Sequence, residues 1–206
     1  MYLLGLQLIL AALPSPTDPP KQGLVDMLLE YLEVRYPGED VDGDVLYIQV
    51  SNQRMFHVRG RRLMTEYHIA TATNGLGSET NSFRTPTGLH RVSEKYGDGV
   101  PMYGIFKDRR FTGELADPSQ DGTPGSQGMD KDWITSRILW LDGVEPGHNK
   151  GGGKDSHERY IYIHGTANER SIGTPSSRGC IRMRNADVIA LYDQVPIGAL
   201  VVVLDN

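Results

Sequence analysis

From Asp44 onward the apolar residues of this 206-residue chain recur with a period of two, the spacing that sends alternate side chains to opposite faces of a strand. Residues 45–50, 55–58 and 63–71 read as consecutive strands, joined by turns at Ser51-Asn52-Gln53 and Arg59-Gly60-Arg61. Residues 138–141 and 160–163 have the same character, and residues 199–204 form an apolar run suited to a buried closing strand. The 24 glycines and 12 prolines supply turns at a density that suits a β-rich fold with long loops better than a helical bundle. A short helix is expected over residues 185–193, with Asn185 as its N-cap.

The first 43 residues lack this alternation. Residues 3–13 are apolar but too few to cross a membrane as a helix. No Lys or Arg precedes them, since the first basic residue is Lys21, so an export signal or its remnant and a packed N-terminal helix both stay open. Residues 14–20 are a Ser/Thr/Pro linker that ends any helix before it. Beyond it Leu24, Leu28, Tyr31 and Leu32 recur at helical spacing among Asp26, Glu30 and Glu33, which predicts an amphipathic helix over residues 22–35, stopped by Pro37-Gly38. The expected division is an appendage of residues 1–43 and a β-rich unit of residues 44–206.

Within that unit one stretch carries reactive chemistry. The only cysteine, Cys180, follows a glycine in a small-residue loop, and His164 lies 16 positions upstream at the end of a strand-like run. A thiol with a pKa of about 8.5 is mostly protonated near neutrality, and a neighbouring imidazole takes its proton or stabilises the thiolate. Gly179 lets the backbone approach a bound carbonyl, with the amides around Gly179 and Cys180 as donors to a developing oxyanion. Singly, a lone cysteine is usually a small buried hydrophobe and a lone histidine a satisfied core or surface residue.

The words around the pair carry more than either residue. His164-Gly165-Thr166, Ser171-Ile172-Gly173 and Ser177-Arg178-Gly179-Cys180-Ile181-Arg182-Met183 closely resemble the signature of the YkuD-type L,D-transpeptidases, cysteine enzymes that cross-link peptidoglycan. Asn185-Ala186-Asp187-Val188-Ile189 and Gly198-Ala199-Leu200-Val201-Val202 are similar to later parts of the same domain, so the resemblance covers about residues 44–204. One position departs from it: many members have His before the Gly-Cys pair, where this chain has Arg178.

The resemblance implies a mainly β fold, a mixed sandwich or open barrel with a few peripheral helices. It implies that Cys180 is acylated by a tetrapeptide stem and by carbapenems, that His164 manages the protons, and that the Gly165 carbonyl orients the imidazole. The amides near Arg178, Gly179 and Cys180 are the expected oxyanion donors. Arg182, two residues past the nucleophile, is expected on its face, either holding a substrate carboxylate or in a structural ion pair. Thr166 and Ser177 are expected to support the site. Peptidoglycan stem peptides are the expected partners, the chain a monomer, and the cell envelope its location.

Three other functions remain open on the same residues: an L,D-carboxypeptidase with water as acceptor, a general cysteine peptidase, and a wall-binding protein with a decayed site. The papain-like version is disfavoured, because no Gln or Asn stands in the local signature.

Residues 96–132, rich in Gly and Pro, read as a long irregular flap that shapes the substrate site, with Tyr103, Phe106 and Phe111 as anchors or substrate contacts. Thr85-Pro86-Thr87-Gly88 matches a Thr-Pro-x-Gly word of the resembled domain and by itself is only a turn. The remaining composition narrows the partners. A formal charge of −5 leaves no basic footprint for nucleic acid. One cysteine makes no internal disulfide or cysteine-type zinc site, and six scattered histidines show no ligand spacing, so no metal and no cofactor are expected. Gly151-Gly152-Gly153 is not followed by the Lys-Ser/Thr of a phosphate loop.

Overall fold

The computed structural model of the chain describes residues 19–120 and 133–206. The apolar run 3–13, most of the linker 14–20 and the part of the flap within residues 121–132 lie outside the described residues.

Among the described residues ten strands make up one sheet: β1 (Asp44–Gln49), β2 (Arg54–Arg59), β3 (Arg62–His68), β4 (Gly88–Tyr96), β5 (Gly104–Lys107), β6 (Arg110–Leu115), β7 (Ile134–Gly143), β8 (Tyr162–Thr166), β9 (Ile181–Met183) and β10 (Leu200–Leu204). The main path runs β3-β2-β1-β10-β4-β7-β5-β6, and β7 also pairs with β8, which pairs with β9. Two pairs are parallel, β1 with β10 and β8 with β9. Reciprocal bonds of 2.9 Å between Ala70 and Arg182 bring the chain just past β3 against β9, so the curled sheet meets itself. Of the two architectures left open above, this is the curled barrel and not a two-sheet sandwich.

The alternation dictates the layers. On β1 and β10, Leu46, Ile48, Val201 and Val203 point into the barrel with Ile163, Ile181 and Met183, and Val188 and Leu191 of α2 (Asn185–Gln194) complete this core. The intervening Val45, Tyr47, Leu200 and Val202 point outward and are covered by Val25, Leu28, Leu29 and Leu32 of α1 (Pro19–Arg35). Leu29 and Leu32 are fully buried there, each contributing about 2 kcal/mol by loss of apolar surface. The helix begins at Pro19, ahead of residue 22, because prolines in a first turn lack only N–H groups that have no intrahelical partner.

Several expectations are corrected. The flap is not irregular throughout: β5 and β6 form a hairpin inside it, turning on Asp108 and Arg109, both at positive φ. Residues 88–96 form β4, a strand not anticipated from the sequence. The last strand is buried as expected, and β10 lies between β1 and β4. His164 falls in the middle of β8, not past the end of a strand. The N-cap of α2 is Arg184, which makes no side-chain cap bond, while Asn185 is drawn inward.

Candidate active site

The parallel register of β8 and β9 pairs Ile163 with Ile181, His164 with Arg182 and Gly165 with Met183. One step earlier Cys180 falls beside Tyr162, whose N–H donates to Sγ at 3.4 Å, and the thiol donates to the Tyr160 carbonyl at 3.4 Å. Side chains two apart on a strand share a face, so Tyr162 and His164 on β8 point to one side, as do Arg182 of β9 and Cys180, the residue just before β9, which packs with Tyr162. Ile163 and Ile181 point to the other, into the core.

His164 is 1% exposed, and its Nδ1 lies 2.7 Å from the Gly165 carbonyl. Donation through Nδ1 leaves the lone pair on Nε2, so the ring is held in the tautomer that accepts a proton there. Gly165 is required by its surroundings: a Cβ would stand 2.6 Å from Asn185 Oδ1 and 2.7 Å from the Thr135 carbonyl.

The turn before the thiol is built by its own side chains. Ser177 Oγ donates to the Cys180 carbonyl at 2.6 Å and accepts from the Gly179 amide at 3.1 Å. That amide is therefore engaged, unlike the free oxyanion donor expected from the sequence. Gly179 has φ 127°, and a Cβ there would approach the Arg84 carbonyl at 3.2 Å and Ile161 Cδ1 at 3.3 Å. Thr85, of the Thr-Pro-x-Gly word, is fully buried and donates from Oγ1 to the Gly179 carbonyl at 3.0 Å. Cys180 is half-buried and Arg182 buried, while the Arg178 side chain extends into solvent.

Thr166 is buried, and its polar groups are engaged by neighbouring residues. Its carbonyl accepts from Asn185 Nδ2 at 2.8 Å, and its Oγ1 accepts from the Asn168 amide at 3.1 Å. Asn185 is the hub: Oδ1 accepts from Thr135 Oγ1 and Ser136 Oγ, both at 2.6 Å, and Nδ2 also donates to Glu169 at 2.7 Å. It ties β7, β8 and the 3₁₀ turn Glu169–Ser171 behind the histidine.

Sequence reasoning missed Arg109, at the tip of the β5–β6 hairpin. Its guanidinium lies 4.7 Å from the Trp140 ring centroid and 5.4 Å from that of Tyr160, and Nη1 donates to the Tyr162 hydroxyl at 3.3 Å. Burial pushes the Tyr162 phenol up to about 12, so it stays neutral beside the thiol. Tyr96 and the hairpin line a cleft of about 680 Å³. Among the described residues no group of three or more His, Cys, Asp or Glu side chains is placed to hold a metal ion, and no helix is long and apolar enough to cross a membrane.

Residues 43–203 match the YkuD family, the L,D-transpeptidase catalytic domain. YqjB and YkuD of Bacillus subtilis (strain 168), both provisionally named L,D-transpeptidases, are 42% identical over 53 residues and 56% identical over 46. These stretches are 26% and 22% of this chain, and the chain spans 30% and 28% of the relatives' lengths. A crystal structure of L,D-transpeptidase 3 from Mycobacterium tuberculosis with a faropenem-derived adduct is 16% identical at a TM-score of 0.49, covering 79% of this chain and 60% of that one.

Proposed function

The chain belongs to the L,D-transpeptidase (YkuD) catalytic-domain family, and from that premise we propose that it is a cysteine acyltransferase acting on peptidoglycan stem peptides in the cell envelope. The observation that supports this best is the shared face of His164 on β8 and Cys180 just before the parallel β9, with Nδ1 of the imidazole already tied to the Gly165 carbonyl. Two strand steps separate the backbones of His164 and Cys180, roughly 8 Å, a span within reach of an imidazole and a thiol extended toward each other.

The Cys180 thiolate attacks the carbonyl carbon of the L,D-peptide bond before a terminal D-Ala. The tetrahedral oxyanion collapses to a thioester, and D-Ala leaves with the proton held on His164 Nε2. An incoming amine then attacks the thioester and loses its proton to the same nitrogen, which restores the thiol. With the Gly179 amide engaged by Ser177, the oxyanion falls to the Cys180 and Arg178 amides, where loss of one donor costs ~10²–10³ in rate. Arg178 contributes through its backbone, in keeping with a side chain turned to solvent. Arg182, buried on the face of the thiol, is suited to a substrate carboxylate. Residues 44–206 carry the activity in a monomer, with α1 as an outer brace.

Incubating the full chain with purified disaccharide-tetrapeptide and weighing the products tests this. Cross-linked dimer with released D-Ala is the expected result; disaccharide-tripeptide alone would identify a hydrolase with water as acceptor. Unchanged substrate in every preparation would refute acyl transfer.

A further inference from the structure

Arg159 stands just before the segment that delivers β8, half-buried, and its hydrogen-bond partners are neutral. Nη2 donates to the Arg84 carbonyl at 2.7 Å and to Ser82 Oγ at 3.4 Å, and Nη1 donates to the Gly77 carbonyl at 3.3 Å. The Arg84 carbonyl is the atom against which Gly179 packs, and the next residue, Thr85, bonds the Gly179 carbonyl. On the other side, the thiol bonds the carbonyl of Tyr160, the residue after Arg159. The guanidinium thus joins the two segments between which Gly179 and Cys180 are held.

We propose that Arg159 is a positioning residue for Cys180, fixing the turn that carries the nucleophile and supplying a cation that favours its thiolate. The proposal rests on the reading of Cys180 as the nucleophile. Burial lowers the Arg159 pKa, and the Cys180 charge and then Glu79 offset this. The attraction is mutual, so a cation held here stabilises the thiolate. Other groups face the thiol or its surroundings. His164 and Arg182 share its sheet face, Arg178 is exposed beside the turn, and Glu79 and Arg84 lie on the loop that Arg159 holds. Tyr160 and Tyr162 flank the sulfur, and Arg109 reaches them from the hairpin. Arg159 is a cation whose bonds also hold the loop against which the Gly179 turn packs.

The test is the pH dependence of iodoacetamide alkylation of Cys180, followed by intact mass from about pH 5 to about pH 10 on full-length wild type, Arg159→Met and Arg159→Lys. Arg159→Met is expected to move the inflection upward by about one unit and slow alkylation near neutrality about tenfold. Arg159→Lys should recover most of that shift, because it keeps the charge. A purely structural role would impair both variants alike without moving the inflection. Should Arg159→Met fail to fold, Arg159→Lys and Arg159→Gln decide, with Lys retaining the wild-type inflection and Gln losing it. Superimposed profiles in folded variants overturn the inference while leaving the acyl-transfer reading intact if wild type still forms product. Wild type that alkylates but makes no product overturns that reading instead.

Discussion

Replacing Asn185 by alanine removes four hydrogen bonds at once: those from Thr135 and Ser136 hydroxyls and those to the Thr166 carbonyl and Glu169. Not all four groups are left equally stranded. Ser136 Oγ still accepts from the Tyr103 amide, and Glu169 still accepts from the Asn185 amide at 2.7 Å. The buried Thr166 carbonyl and Thr135 hydroxyl lose partners without an evident replacement. Two orphaned buried groups at about 1–3 kcal/mol each give a loss of about 2–6 kcal/mol. For a chain of this size, at about 2–4 °C per kcal/mol, that lowers the melting temperature by about 4–24 °C, with the loss itself measurable by urea unfolding. Asn185→Asp keeps the shape but places a carboxylate against the Thr166 carbonyl and Glu169, so it should cost at least as much. A loss below about 1 kcal/mol for Asn185→Ala, the scale of an ordinary surface change, would refute the hub assignment.

Three further outcomes are expected. Intact-mass analysis after carbapenem treatment should show one adduct on wild type and none on Cys180→Ala, with His164→Ala slowed ~10²–10⁴-fold; an equal rate for His164→Ala would remove it as the base. His90 is fully buried between the Gly88 carbonyl and Ser156 Oγ, and burial pushes its pKa down to about 4. Its unfolded form takes up a proton near pH 6.5, so stability is complete above that pH and falls by about 3 kcal/mol as pH drops to about 4. Urea unfolding of His90→Gln should show a flatter loss across this window, and a wild-type slope would contradict the assignment. Arg109→Ala should change global stability by no more than about 1 kcal/mol while raising amide exchange in residues 104–115; unchanged exchange would mean the ring contacts do not hold the hairpin.

The strands that the sequence revealed are those whose alternation contrasts apolar with polar residues, as in β1 and β2. β4 escaped because buried positions hold His90 and because Ser93, Glu94 and Lys95 are all half-buried, blurring the contrast. The hairpin escaped for a different reason. A two-residue turn with both φ values positive normally advertises itself as Asn-Gly, but here Asp108-Arg109 fills it. Asn185 stands where an N-cap reads naturally, yet a tertiary demand from three neighbouring elements overrides that local preference. The relation of Cys180 to His164 comes from parallel pairing across a long connection, and no local period encodes such pairing. It was legible through the resemblance of the surrounding words, whereas the roles of Arg109 and Arg159 were not legible at all.

β9 is only three residues long, and its ladder is completed from opposite directions by β8 and by Ala70. So short a strand has little persistence of its own. Its neighbours are recruited from about 110 positions earlier in the chain on one side and about 18 on the other, so their loops must close before it has a place to dock. Cys180, the residue just before β9, therefore takes its place only when both neighbours are in position. In a partly folded chain the thiol lacks these neighbours, and the surroundings described for Cys180 exist only once the ring is complete.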